Sequence, residues 1–211
     1  MREPGRFGDG RRARIGLLGG SFNPAHAGHR HVAETALRAL RLDQLWLMVS
    51  PGNPLKPVDG MAPFAQRLAS ARRIADGTRV RATGIEAAFG TRLTWRTLSL
   101  LHRRFPRARF VFVIGADNLA QLPRWQRWPR IAAGTPLAVL PRPGWNRAAL
   151  HGRAAAVLRQ RRRRPGALLA GAPPPLAPWC FVPARENSLS ATALRHASAG
   201  GAHALPFAKP R

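Results

Sequence analysis

Cysteine is nearly absent from this chain. Cys180 is the single one among 211 residues, which excludes a disulfide framework and a thiolate cluster of the kind that holds structural zinc. A reducing compartment, the cytoplasm, is the expected setting. Carboxylates are also scarce: Glu3, Asp9, Glu34, Asp43, Asp59, Asp76, Glu86, Asp117 and Glu186 are the complete set. No two of them stand at helical or strand spacing, which argues against a paired-carboxylate mechanism and against a protein-only magnesium cage. No metal site built from protein ligands alone is expected. Long apolar runs are missing too, since no stretch approaches the roughly 20 residues of a membrane span. Residues 1–14 are basic and glycine-rich without the apolar core of a secretion signal, so no membrane partner is expected.

Positive charge is what the chain has in excess. A formal net charge of +26 attracts polyanions of every sort: nucleic acid, acidic membrane surfaces, or small substrates with several phosphates. Lys56 and Lys209 are the only lysines, so the charge is almost entirely arginine. A solvated surface would accept either residue, and the bias therefore reads as a general composition preference. That weakens the nucleic-acid reading, and no nucleic-acid partner is expected.

The length suffices for one full-sized core. An apolar run at 15–18 ends in Gly19-Gly20 and is followed by Val32, Ala33, Ala36, Leu37 and Leu40 at helical spacing. Strands are expected at 44–50, 80–85, 110–114 and 137–140, and helices at 63–75, 95–105 and 123–131. The run at 110–114 is the clearest buried strand, because five apolar residues stand together before Gly115. Such alternation predicts an α/β fold, a doubly wound parallel sheet in a single domain. A surface helix over 147–164, ending in the arginines 161–164, belongs to a variable segment at 141–178. The arginine run is either a solvated helix end, favoured by the macrodipole, or a nucleic-acid patch. A last short strand at 181–182 leads to a helix near 190–196. Residues 1–14 read as a disordered basic tail, 15–199 as the domain, and 200–211 as a second tail.

Chemistry concentrates first in the stretch from Gly19 to His29, where the first strand hands over to the first helix. Gly19 and Gly20 let a backbone approach a phosphate closely, and the helix amino terminus offers unpaired N–H groups. His26 and His29 stand three apart, on one helical face. Gly28 between them leaves room for a flat ring or a phosphate. Each histidine alone reads as an ordinary surface residue; together with the loop they read as an anion cradle. Ser190, Thr192 and Arg195 form a second group, either a capped helix with a surface arginine or a second anion site. Asp117, after the buried strand, and Trp125 form a third. They are either a turn carboxylate with a half-buried tryptophan or a ribose acceptor with a stacking face, Trp128 competing for the stacking role.

These residues resemble the nucleotidyltransferases that carry the His-x-Gly-His signature, with a Rossmann-like fold, and within them bacterial nicotinate-nucleotide adenylyltransferases. The resemblance spans 14–142 and 181–197. Leu189 to Arg195 is similar to the family's Ile-Ser-x-Thr-x-Ile-Arg element, and Gly115 to Asp117 with Leu122 to Trp125 points to the nicotinate branch. The resemblance implies that Gly19, Gly20, Ser21, Phe22, Gly28, Ser190 and Thr192 bind ATP, with His26, His29 and Arg195 both binding it and acting in catalysis. It implies mononucleotide contacts from Asn23, Lys56, Thr94, Asp117 and Trp125, with Lys56 meeting the phosphate and Trp125 stacking on the pyridine ring. Arg92-Leu93-Thr94 matches a Ser-Tyr-Thr element, with Leu93 in place of the tyrosine and Arg96 where an acidic or polar residue is common.

The implied reaction is adenylyl transfer from ATP to nicotinate mononucleotide in NAD biosynthesis, with magnesium carried by the ATP. The acceptor phosphate is largely anionic at neutral pH, so no general base is required. The alternatives are transfer to nicotinamide mononucleotide or phosphopantetheine, a cytidylyl transfer, or a basic nucleic-acid-binding module.

Overall fold

In the computed structural model, which describes residues 4–52, 60–170 and 175–186, one sheet organises the chain. Its strands are β1 (Arg14–Gly20), β2 (Gln44–Val49), β3 (Val80–Thr83), β4 (Arg109–Gly115), β5 (Leu137–Leu140) and β6 (Trp179–Phe181). They run in the order β3-β2-β1-β4-β5-β6, and every neighbouring pair is parallel. Leu17 of β1 lies between Trp46 of β2 and Phe112 of β4. The expected doubly wound sheet is therefore the fold, and its order reverses between β1 and β4. Loops diverge there to opposite faces and leave a crevice at the carboxyl ends of the strands.

The two faces are packed differently. Trp46, Phe105, Phe110 and Phe112 fill one, with edge-on contacts such as Trp46 to Phe105 at 5.4 Å. Helices α3 (Ile85–Ala88), α4 (Thr94–Arg104), α5 (Ala116–Gln121) and α6 (Trp128–Gly134) cover it through Ile85, Leu98, Leu101, Leu119 and Ile131. Small and aliphatic residues fill the other, where α1 (Ala27–Ala39) and α2 (Phe64–Ile74) pack through Ala33, Ala36, Leu37 and Ala71. Alanines on its inner stripe let α1 sit close to the sheet.

Several elements differ from expectation. The helix expected at 123–131 is split into a 3-10 turn at Leu122–Arg124 and α6. Arg127, in the left-handed region at φ 53°, interrupts it. The helix expected over 147–164 is broken into α7 (Asn146–Leu150), α8 (Arg153–Val157) and a 3-10 turn. The break falls at Gly152, where a Cβ would stand 2.6 Å from the Ala148 carbonyl oxygen. The arginine run correspondingly begins at the end of a 3-10 turn, not at the end of one long helix. Arg161 donates to the Ala132 carbonyl at 3.1 Å, Arg162 lies over the Trp179 ring, and the Arg163 N–H donates to the Trp179 carbonyl. Part of the expected amino-terminal tail is packed: Asp9 pairs with Arg11, whose guanidinium sits 5.4 Å from Trp46 and 5.5 Å from Phe105. The helix expected near 190–196 lies outside the described residues. Among those residues no helix is long and apolar enough to cross a membrane.

Two buried ionisable groups tie the site's loops together. Phe64, Arg67, Ala71 and Ile74 form the inner stripe of α2, and Arg67 is 3 % exposed. Its guanidinium donates to the carbonyls of Ser21 at 2.8 Å, Ser50 at 2.7 Å, Ala62 at 2.9 Å and Pro51 at 3.2 Å. Glu86 of α3, 7 % exposed, accepts from the Thr97 hydroxyl of α4 at 2.9 Å. Burial pushes the Glu86 carboxyl above the usual carboxylate range, against the hydrogen bonds from Thr97 and Ser50.

Replacing Arg67 by methionine strands those carbonyls and is expected to lower unfolding stability by about 3 kcal/mol. Urea denaturation checks this; a loss below about 1 kcal/mol would mean the loops hold without the clamp. For Glu86 the sign follows from linkage. A raised folded value means the native state holds the proton more tightly than the unfolded chain. Its contribution is therefore fully present below the ordinary carboxylate range and is lost as pH rises through the folded value. The stability advantage of Glu86→Gln over the parent should grow as pH rises above the ordinary carboxylate range, read as the difference in Tm. A pH-independent difference would contradict it.

Candidate active site

The handover from β1 to α1 is built around a reciprocal cap. His26 is the N-cap of α1, with extended backbone at φ −147° and ψ 171°, and its Nδ1 accepts the Gly28 N–H at 3.1 Å. His29, at the third helical position, accepts the His26 N–H on its own Nδ1 at 3.2 Å. This is a capping box made of two imidazoles, where Ser or Thr with Glu is usual. Spacing of three follows from the cap, and only His29 lies within the helix proper. The rings stand 3.9 Å apart. A ring nitrogen that accepts carries no proton, so the neutral ring of each presents Nε2–H as a donor. Burial lowers the His26 pKa, and the nearby Arg142 charge lowers it further.

Phe22 supports the pair, its ring 4.8 Å from His29. Its backbone is left-handed at φ 49°, a conformation a bulky residue adopts only when its surroundings impose it. Here Phe22 is 2 % exposed, and a Cβ on Gly20 would stand 3.1 Å from its ring. The fit is tight, and a side chain at position 20 would require the Phe22 ring to give way slightly. Ser70 of α2 accepts the Ala25 N–H at 2.9 Å. Asn23 is buried and bridges to the next loop, donating to the Gly60 carbonyl at 2.7 Å and accepting the Ala62 N–H at 3.2 Å.

A cavity of about 670 Å³ opens beside this loop, in the crevice between β1 and β4. Gly19, Gly20 and Ser21 form one wall, and Thr94, Trp95, Asn118 and Trp125 contribute to the others. Trp125 is half-buried and edge-on to Phe112, with centroids 6.2 Å apart. The Trp95 indole N–H donates to Gln126 at 3.1 Å, and the Arg127 guanidinium lies 4.5 Å from its ring. Arg92, Arg96 and Arg124 are at the rim, and Glu86 is the one carboxylate in the lining among the described residues. Asp117 is not among the lining residues, and its Oδ1 lies against Gly115, where a Cβ would displace it. Lys56, Ser190, Thr192 and Arg195 lie outside the described residues. A smaller cleft is bounded by Gly28, His31, Leu140, Pro141, Arg142 and Arg185.

The cavity thus brings together Gly19, Gly20, Ser21, Thr94 and Trp125, whereas His26 and His29 stand at the cap of α1 and are not among its lining residues. Sequence reasoning did not single out Arg67, Glu86, Trp95 or Arg142. Arg67 had one signal, a charge on the inward stripe of a helix. Glu86 had another, a carboxylate directly after Ile85 and before two alanines. Trp95 stands next to Thr94, and its place in the cavity follows only from how α4 begins.

The sequence pattern of the cytidylyltransferase-like family matches residues 17–197. A probable nicotinate-nucleotide adenylyltransferase of Gluconobacter oxydans is 62% identical over 184 residues, covering 86% of this chain and 93% of that protein. Another, of Gluconacetobacter diazotrophicus, is 56% identical over 191 residues, covering 90% and 88%. Among solved structures, nicotinic acid mononucleotide adenylyltransferase of Plasmodium falciparum, complexed with NaAD, superposes with a TM-score of 0.66 at 14% identity, covering 87% of this chain and 82% of that one. That likeness concerns the fold, whereas the sequence identities run nearly the length of both chains. Chemistry at the crevice, a match over most of the chain and these identities lead to one assignment: the chain belongs to the cytidylyltransferase-like family, among its nicotinate-nucleotide adenylyltransferases.

Proposed function

We infer that this chain moves the adenylyl group of ATP onto nicotinate mononucleotide, with nicotinate adenine dinucleotide and pyrophosphate as products, and that the glycine loop and the cavity beside it divide the two substrates between them. The observation that carries this division is that Gly19, Gly20 and Ser21 line the same cavity as Thr94 and Trp125. A phosphate held over the loop and an aromatic ring held in the cavity would then be neighbours.

The acceptor phosphate, with a second pKa of about 6, needs no base. One of its oxygens attacks the α-phosphorus of ATP, the bond to the bridging oxygen breaks, and pyrophosphate leaves from the opposite side. The chain's task is alignment and stabilisation of spreading negative charge. His26 and His29 supply Nε2–H donors, and the start of α1 adds its dipole. Arg142, close enough to lower the His26 pKa, adds positive charge on the same side. Lys56, Ser190, Thr192 and Arg195 remain candidates on the strength of their motifs. Asn23 acts through the loop it holds. For Asp117, a ribose contact remains the proposal. Magnesium enters with the nucleotide, as part of the substrate, on phosphate oxygens and its own waters. Among the described residues no three His, Cys, Asp or Glu side chains gather in a way that could hold a metal ion.

We place the enzyme in the cytoplasm. Cys180 is a free buried thiol whose pKa burial pushes up to about 12, so it stays unreactive.

Trp125 is the better stacking face of the two tryptophans, because guanidinia already crowd the Trp95 ring. Trp125→Ala is expected to raise KM for the mononucleotide roughly tenfold with a smaller effect on KM for ATP. Equal effects on both substrates would remove the ring from that face. With ATP and magnesium, pyrophosphate release should be fastest with nicotinate mononucleotide and fall about a hundredfold or more in His29→Ala. Faster release with nicotinamide mononucleotide or phosphopantetheine would reassign the acceptor. Silence with all three would bring forward the nucleic-acid-binding reading.

A further inference from the structure

Arg92, Arg96 and Arg124 share the rim of the cavity with, among the described residues, a single carboxylate in its lining. That carboxylate, Glu86, is buried and accepts from Thr97. Among the described residues the ion pairs are Arg11 with Asp9 and Arg30 with Glu34, so the three rim guanidinia have no counter-charge there.

Arg96 differs from the other two in where it is fixed. Arg92 belongs to the loop before α4 and Arg124 to a 3-10 turn, whereas Arg96 stands in the first turn of an 11-residue helix. A first turn carries the positive end of the helix dipole and favours acidic side chains. Here the first turn has none, and the N-cap, Leu93, offers no side-chain acceptor. The dipole and the guanidinium therefore add on the same side, next to Thr94 and Trp95, and an anion bound there would relieve both.

We propose that Arg96 is the specificity-determining residue that makes this enzyme prefer a pyridine ring bearing a carboxylate over one bearing a carboxamide. The proposal rests on the assignment of the cavity to the mononucleotide. Both candidate acceptors carry the same 5′-phosphate, so a diffuse positive field attracts both and cannot tell them apart. Only a cation fixed beside the ring senses the one charge by which they differ. A guanidinium can give a carboxylate two parallel N–H donors, and it finds only one weaker acceptor on a carboxamide.

The test is the ratio of kcat/KM for nicotinate mononucleotide to that for nicotinamide mononucleotide, measured on the full chain, on Arg96→Gln, on Arg96→Lys and on Arg103→Gln. Arg103 is exposed on the same helix and is absent from the cavity lining. The glutamine variant at 96 is expected to lower the ratio by about tenfold to a hundredfold, and the lysine variant to retain part of it. Arg103→Gln should leave the ratio at its parental value. A ratio unchanged in Arg96→Gln, or lowered as much by Arg103→Gln, would overturn the proposal and make Arg96 one contributor to a general field. A parent protein silent with both acceptors would sink the assignment of the cavity, and this proposal with it. Because the ratio is internal to each variant, a partly unfolded preparation does not mimic the effect.

Discussion

The active-site face of this molecule depends on a cation whose hydrogen-bond partners, among the described residues, are backbone carbonyls. Arg67 reaches from α2 into the space where the loops after β1 and β2 converge, and binds carbonyls of Ser21, Ser50, Pro51 and Ala62. Loops at the carboxyl edge of a parallel sheet leave carbonyl groups beyond the last ladder bond, and several such dipoles crowded together repel. A guanidinium is planar and has five donors, so it can serve all four at once, whereas a lysine ammonium has only three. Through this one side chain the loop that begins the histidine cap and the loop that follows β2 are set at a fixed separation. Asn23 repeats the device on a smaller scale by bridging the first loop to Gly60 and Ala62.

How much of this was legible beforehand depended on whether a residue's partner leaves a trace in sequence. The strand at 110–114 did, because burial on both faces requires a continuous apolar run. His26 and His29 did as well, although the spacing suggested a shared helical face when its immediate cause is a cap. Arg67 left almost none: its partners are backbone carbonyls, which every residue has. Arg127 is a different case, since nothing about an arginine announces a left-handed backbone, and the split between the turn at 122–124 and α6 was invisible for that reason. The break at Gly152 was in view as a glycine within a periodic stretch, and the arginines following it drew the reading toward one long helix instead.

The large positive charge also resolves into separate tasks. Arg11 covers the aromatic end of the core, Arg161 and Arg162 pack against α6 and β6, and Arg67 organises loops. Those at the cavity rim share it, among the described residues, with Glu86 as the one carboxylate. A residue type raised across the whole chain has thus been put to work through its geometry in some places and its charge in others. Counting arginines therefore says little about what the protein binds, and the company each one keeps says more.

The imidazole cap has an implication for acid conditions. Nδ1 of His26 is committed to the Gly28 amide, so a proton can add there only by displacing that N–H. Acidification would reach this corner of the molecule as a fraying of the first turn of α1, before it could register as a gain of positive charge at the anion cradle. In the proposed function, grip on phosphate is a property of helix termination, and the two fail together.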